Sequence, residues 1–188
     1  MPSCDDTLAS SENMAGLHMT IQDNKNFDSR AFRNAMGSFA TGVTVVTMAK
    51  SDGSLKAMTA NAFSSVSLEP PMLLVCIDKG ASMHEWLDHV SAFGVNILSG
   101  EQQHVSNVFA SSGTHPEPLS GIPHTIGPLG VPLINDVMLW ASCKIIHKYP
   151  AGDHTILVGQ VEGLENNQAI NSPLLFHSGK YHQLGEEM

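Results

Sequence analysis

The sequence predicts a mainly β protein with a few short helices, its strands antiparallel and closed into a barrel, and three observations carry that prediction. First, short β-branched or apolar runs recur along the chain, about six or seven in all. Second, successive runs are joined by turn chemistry, at Ser51-Asp52-Gly53 and at Pro150-Ala151-Gly152-Asp153-His154. Third, helices do not alternate with strands and no Gly-x-Gly-x-x-Gly follows a strand. A doubly wound parallel sheet is therefore disfavoured, and any nicotinamide must bind without one. An antiparallel sheet of this size usually closes on itself to remove its edges.

Taken in order, residues 1–26 are polar and aperiodic and are expected to form a flexible leader. The domain is expected to run from 27 to 188. From Asp28, a predicted N-cap, Ala31, Phe32, Ala35, Met36 and Phe39 recur at helical spacing. Val43 to Met48 is strand-like, and a second extended segment follows the turn at 51–53. Met72 to Ile77 is apolar throughout, as a buried strand would be. Ser82-Met83-His84-Glu85 matches a capping box and predicts a short helix through Leu87. Phe93 to Leu98 predicts a strand and Glu101 to Ala110 a helix. Residues 111–136, rich in Gly, Pro and His, predict a long irregular excursion of the kind found at functional sites and interfaces. Two long strands, Leu139 to Tyr149 and Thr155 to Leu164, form a predicted hairpin, and Leu174 to His177 is the last strand.

Composition excludes several partner classes. The formal net charge is −9, with 9 Lys and Arg against 18 Asp and Glu. Nucleic acid and anionic membranes both require a basic footprint, so neither is an expected partner. A small anionic cofactor needs only a local cluster of donors. Charged residues make up only 14% of the chain, a shortage of polar surface that a dimer interface would explain. Cys4, Cys76 and Cys143 have no metal-type spacing, and the last two lie in apolar runs. No disulfide, signal peptide or membrane span is evident, so a reducing, cytoplasmic setting is expected.

The chain carries no Gly-x-Ser-x-Gly elbow, no paired carboxylates and no His-Glu-x-x-His, so neither a nucleophile nor a metal site is expected. The unusual stretch is Met58 to Pro71, in which Thr59, Asn61, Ser64, Ser65 and Ser67 alternate with apolar residues. On residues alone it is either a polar loop between two strands or a neutral cradle for a polar heterocycle. Isoalloxazine suits the second reading, because its ring nitrogens and oxygens need uncharged donors and acceptors.

With that stretch, Phe39-Ala40-Thr41-Gly42-Val43-Thr44-Val45-Val46-Thr47 resembles the short-chain flavin reductases, the reductase components of two-component flavin-dependent monooxygenases. Further matches are Val95-Asn96-Ile97-Leu98-Ser99, Gln102, Phe109, Gly130, Pro132 and Leu133. Ala151-Gly152-Asp153-His154-Thr155 resembles the family's Gly-Asp-His signature, and Pro173 to Phe176 with Lys180-Tyr181 its closing strand. The likeness runs from about Phe27 to Tyr181. The sequence departs from the family pattern at Ala57, often Gly, at Gly80 to Met83, commonly richer in Ser and Thr, and at Val108, often Arg.

The resemblance implies an FMN-binding split β-barrel of Greek-key-like topology, a homodimer, and hydride transfer from NADH or NADPH to FMN or FAD. It also implies delivery of reduced flavin to a separate monooxygenase. Two alternatives stay open, an FMN-retaining electron carrier and a non-catalytic flavin-binding protein. Carried over by position, Thr59, Ala60 and Asn61 lie along the isoalloxazine, and Ser64, Ser65 and Val66 continue that contact. Asp78 and Lys79 match the segment that meets the flavin phosphate, with Ser82 either beside it or spent as a helix cap. His154 lies beside flavin and nicotinamide, where an imidazole can bond the carboxamide or place a positive dipole near the flavin. The bland alternative is that Asp153 and His154 only shape their turn.

Overall fold

A computed structural model describes residues 28–110, 119–170 and 172–185. The expected leader and residues 111–118 of the expected excursion lie outside them. Helix α1 spans Ser29–Met36, and the Asp28 carboxylate caps it by accepting from the Arg30 N–H at 3.0 Å. Its apolar residues do line up, yet none is buried: Phe32 is 55%, Met36 57% and Phe39, just beyond, 78% exposed.

Five strands follow: β1 (Thr41–Gly42), β2 (Thr44–Ala49), β3 (Leu55–Ala60), β4 (Phe63–Leu68) and β5 (Pro71–Asp78). β4 occupies the serine-rich run, so that run is a strand and not a loop. A single 3-10 turn, His84–Trp86, precedes β6 (Ala92–Ile97), and a second, Gly100–Gln102, leads into α2 (Gln103–Ala110). The expected excursion contains a hairpin of β7 (His124–Ile126) and β8 (Pro132–Ile134). Val131, Leu133 and Ile134 are buried there, which is why this Pro-rich segment is held to the body. The long hairpin is β9 (Leu139–Ala151) with β10 (His154–Asn166), and the chain closes with β11 (Leu175–His177) and β12 (Lys180–His182).

The capping boxes differ from expectation. Ser82 caps nothing, because backbone bonds from Ala81 N–H to Asp78 O and from His84 N–H to Ala81 O already fold the chain before it. A capping residue must instead be extended. Ser99 is extended, with φ −76 and ψ 160, and forms the reciprocal box with Gln102.

Seven strands form one antiparallel sheet in the order β3-β2-β6-β9-β10-β5-β4. Were it flat, its edges would stand about 29 Å apart at the usual strand spacing. Only Asn61 and Ala62 join β3 to β4, and three Cα steps reach at most about 11 Å. The sheet must therefore curl until its two edges meet. β3 and β4 share no ladder, so the barrel stays split between them.

Alternation along the strands then divides the apolar residues into two cores. Val46, Met48, Val75, Ile77, Phe93 and Leu157 fill the inside. Val43, Val45 and Leu98 pack outward against Val105 and Phe109 of α2. The Phe93 ring needs a glycine opposite, since a Cβ at Gly159 would lie 2.6 Å from it. Among the described residues, no helix is long and apolar enough to cross a membrane.

Candidate functional site

Register brings the predicted residues together. Phe63 of β4 opposes Val75 of β5, and the Ala62 carbonyl accepts from the Cys76 N–H at 3.0 Å. On β10, Ile156 opposes Cys76 and His154 opposes Asp78. The junction of β3 and β4, the end of β5 and the start of β10 thus lie side by side, spanning two strand spacings, about 10 Å. Residues opposed in an antiparallel pair share a face. Ser64, Leu74, Cys76, Asp78, His154 and Ile156 therefore stand on one face, opposite to the one that buries Val75, Ile77 and Leu157.

The corner at Asp78 is laced to the β9–β10 turn. The Lys79 N–H donates to the Asp153 carbonyl at 2.9 Å, and the Lys79 ammonium donates to the Gly152 carbonyl. Gly152 has φ +61, a left-handed conformation that glycine adopts without strain. Below this corner the His84 Nε2 lies 2.9 Å from the Thr155 hydroxyl. Sequence reasoning saw His84 only as part of a capping box and missed this contact, because its partner is 71 positions away and nothing local marks the pairing.

His154 and Asp153 form a directed pair, with Nδ1 2.7 Å from the Asp153 carboxylate. An ionised carboxylate only accepts, so Nδ1 carries the hydrogen and Nε2 of the neutral ring keeps its lone pair. The same hydrogen bond, with the attraction of the His154 ring, holds the Asp153 carboxyl below the ordinary aspartate value.

The predicted residues are not all equally placed. Asn61, Ser64, Ser65, Val66 and Ser82 are exposed. Among the described residues nothing hydrogen-bonds the Asn61 amide or the Ser82 hydroxyl, whereas the Ser64 hydroxyl donates to the Ser65 carbonyl at 3.1 Å. Thr59 turns its hydroxyl toward α2, donating to the Ser106 carbonyl at 2.8 Å, and Ala60 packs on the interior core. Burial raises the Cys76 thiol pKa and pushes that of Cys143 up to about 12, so neither is a ready thiolate.

This set fits a polar planar heterocycle. Neutral hydroxyls and an amide line the split, and the unpaired edges of β3 and β4 add backbone N–H and C=O groups. Asn61 and Ser64 would hold the ring, and Lys79 and Ser82 a phosphate, whereas Ser65 opposes Leu73 and turns its side chain to the other face of β4.

The model of the flavin reductase like domain matches residues 36–185. A probable flavin reductase of Rhizobium meliloti is 42% identical over 75% of the chain and 45% of its own length. An NADH-dependent flavin reductase of Rhodococcus is 39% identical, covering 81% of the chain and 84% of that protein. The reductase component of a flavin-dependent trigonelline monooxygenase from Acinetobacter baylyi is 44% identical over 71% of the chain and 42% of that protein. The chain thus spans less than half the length of two of these relatives. Among solved structures, the NADH:FAD oxidoreductase SgcE6 of Streptomyces globisporus superposes with a TM-score of 0.81 at 34% identity, over 89% of this chain and 98% of that one. The chain belongs to the flavin reductase like domain family.

Proposed function

We propose that this chain is an NAD(P)H:flavin oxidoreductase that supplies reduced flavin to a separate monooxygenase. The observation that carries the reading is the convergence of Asn61 to Ser64, Asp78-Lys79 and Asp153-His154 on one end of the sheet, with His154 held in a single tautomer. Bound there, the nicotinamide supplies a hydride and the flavin accepts it, chemistry that the two groups themselves carry.

The protein's share is binding and orientation. The exposed Asn61 amide and Ser64 hydroxyl meet a heterocycle edge without adding charge. His154 Nε2 accepts from a carboxamide N–H, while Asp153 fixes the ring's direction. Lys79 holds the turn through Gly152 and neutralises a phosphate at the same corner. NADH is favoured over NADPH because the sequence holds no arginine cluster for a 2′-phosphate. The Acinetobacter and Rhodococcus names support an NADH-dependent reductase that serves a partner enzyme.

The chain is also proposed to form a homodimer. Phe32, Met36 and Phe39, with Val66 47% and Leu68 94% exposed, are apolar surface that the described residues leave uncovered. A reducing cytoplasm suits the free thiols of Cys76 and Cys143.

The test is steady-state oxidation of NADH and NADPH with FMN, FAD and riboflavin as acceptors. Turnover with NADH and at least one flavin is expected. Absence of turnover with every pair would overturn the assignment.

A further inference from the structure

Two rings outside the predicted set stand on the face that carries His154. Tyr149 opposes Ile156, and His147 opposes Val158. His154, Ile156 and Val158 alternate along β10, so Tyr149 and His147 share their face. The rings are stacked, with centroids 5.3 Å apart and planes 29° apart. Both residues are exposed, Tyr149 to 50%. Tyr149 lies one strand across from His154 and two residues along, a displacement of about 8 to 9 Å between Cα atoms.

We infer that Tyr149, backed by His147, is a stacking platform for the adenine ring of the nicotinamide cofactor. The inference rests on the reductase reading and adds a second point of contact to it. A dinucleotide has two flat rings joined through a diphosphate. His154 takes the polar edge of one ring, and a flat aromatic face in reach on the same surface takes the other. Aromatic faces bind bases by stacking whatever the base's hydrogen-bonding pattern. The Lys79 ammonium, at the corner beside His154, is a counter-charge for the linking phosphates. The His147 ring behind Tyr149 limits its rotation, so less freedom is lost on stacking.

The test compares two reductants, NADH and reduced nicotinamide mononucleotide, which lacks the adenylate. Tyr149→Ala is expected to raise the KM for NADH at least about fivefold, the lower end of what losing a base–aromatic stack costs. The kcat should hold, and the KM for the mononucleotide should not move. Tyr149→Leu, which keeps apolar bulk and guards against a folding defect, should behave like the alanine variant, and Tyr149→Phe should restore the wild-type KM. Equal rises for both reductants, or no rise for either, would overturn the inference. So would a change of oligomeric state in Tyr149→Ala, because a second copy would then be the occupant. If the wild-type protein oxidises neither reductant, the reductase reading itself falls and takes this platform with it.

Discussion

The two faces of β5 and β10 make opposite demands on the same strands. The inward face carries Val75, Ile77 and Leu157, all fully buried in one core with Phe93. The outward face carries Cys76, Asp78, His154 and Ile156, none of them fully buried. A one-residue alternation separates the two sets. The inner set fixes where each strand lies, and the outer set inherits its geometry from that register. The candidate site is thus positioned by residues that never touch it.

The comparison is broken most severely from the inside. Phe93→Ala removes a ring that has no exposed surface, and Gly159 opposite has no side chain with which to fill the space. A loss of about 3 to 5 kcal/mol of stability is expected, read as a fall in the urea midpoint. A shift below about 1 kcal/mol would mean that the interior is not packed as described.

The cysteines sample both faces. Cys143, inside, has no exposure and a thiol pKa pushed up to about 12, so it should resist alkylation at neutral pH until the protein unfolds. Cys76, on the outer face, should react slowly in the native protein, and more slowly with flavin and NADH present. Peptide mass mapping separates the two. Labelling of Cys143 at the Cys76 rate would collapse the distinction between the faces.

The smallest expected effect concerns Asp153. Its carboxyl is held below the ordinary value, so the ionised carboxylate that accepts from the His154 ring persists above that value and is lost only as pH falls through the lowered pKa. Asp153 is fully exposed, so stability should show no Asp153-dependent step from about pH 5 to 8. Urea midpoints of wild type and Asp153→Asn across that range check this. A step present in one and absent in the other would contradict it.

How far the sequence could be read follows from the same two faces. Strands with an apolar inward face, such as β2, β5, β6 and the first half of β10, are legible because burial writes a pattern. β4 is not, because Ser64, Ser65 and Val66 are exposed on a split edge and leave no apolar period. The hairpin of β7 and β8 is hidden by strands of only three residues between prolines and glycines. Asp153-His154 and the serine run are visible through their likeness to a family. The Tyr149 platform and the His84–Thr155 contact are not visible at all, since their meaning lies in which distant residues oppose them. Ser82 shows the converse, a capping signature whose backbone is already folded before the cap position.

The central claim is that His154, on the outward face, binds and orients the reductant without contributing to the fold. The most direct measurement is NADH oxidation with FMN or FAD by wild type and His154→Ala, beside their urea midpoints. The account predicts turnover by the wild type, a loss of roughly tenfold in kcat/KM on removing one well-placed hydrogen bond, and an unchanged midpoint. Equal kcat/KM in the two proteins, or a fall in activity that follows a fall in stability, would contradict it.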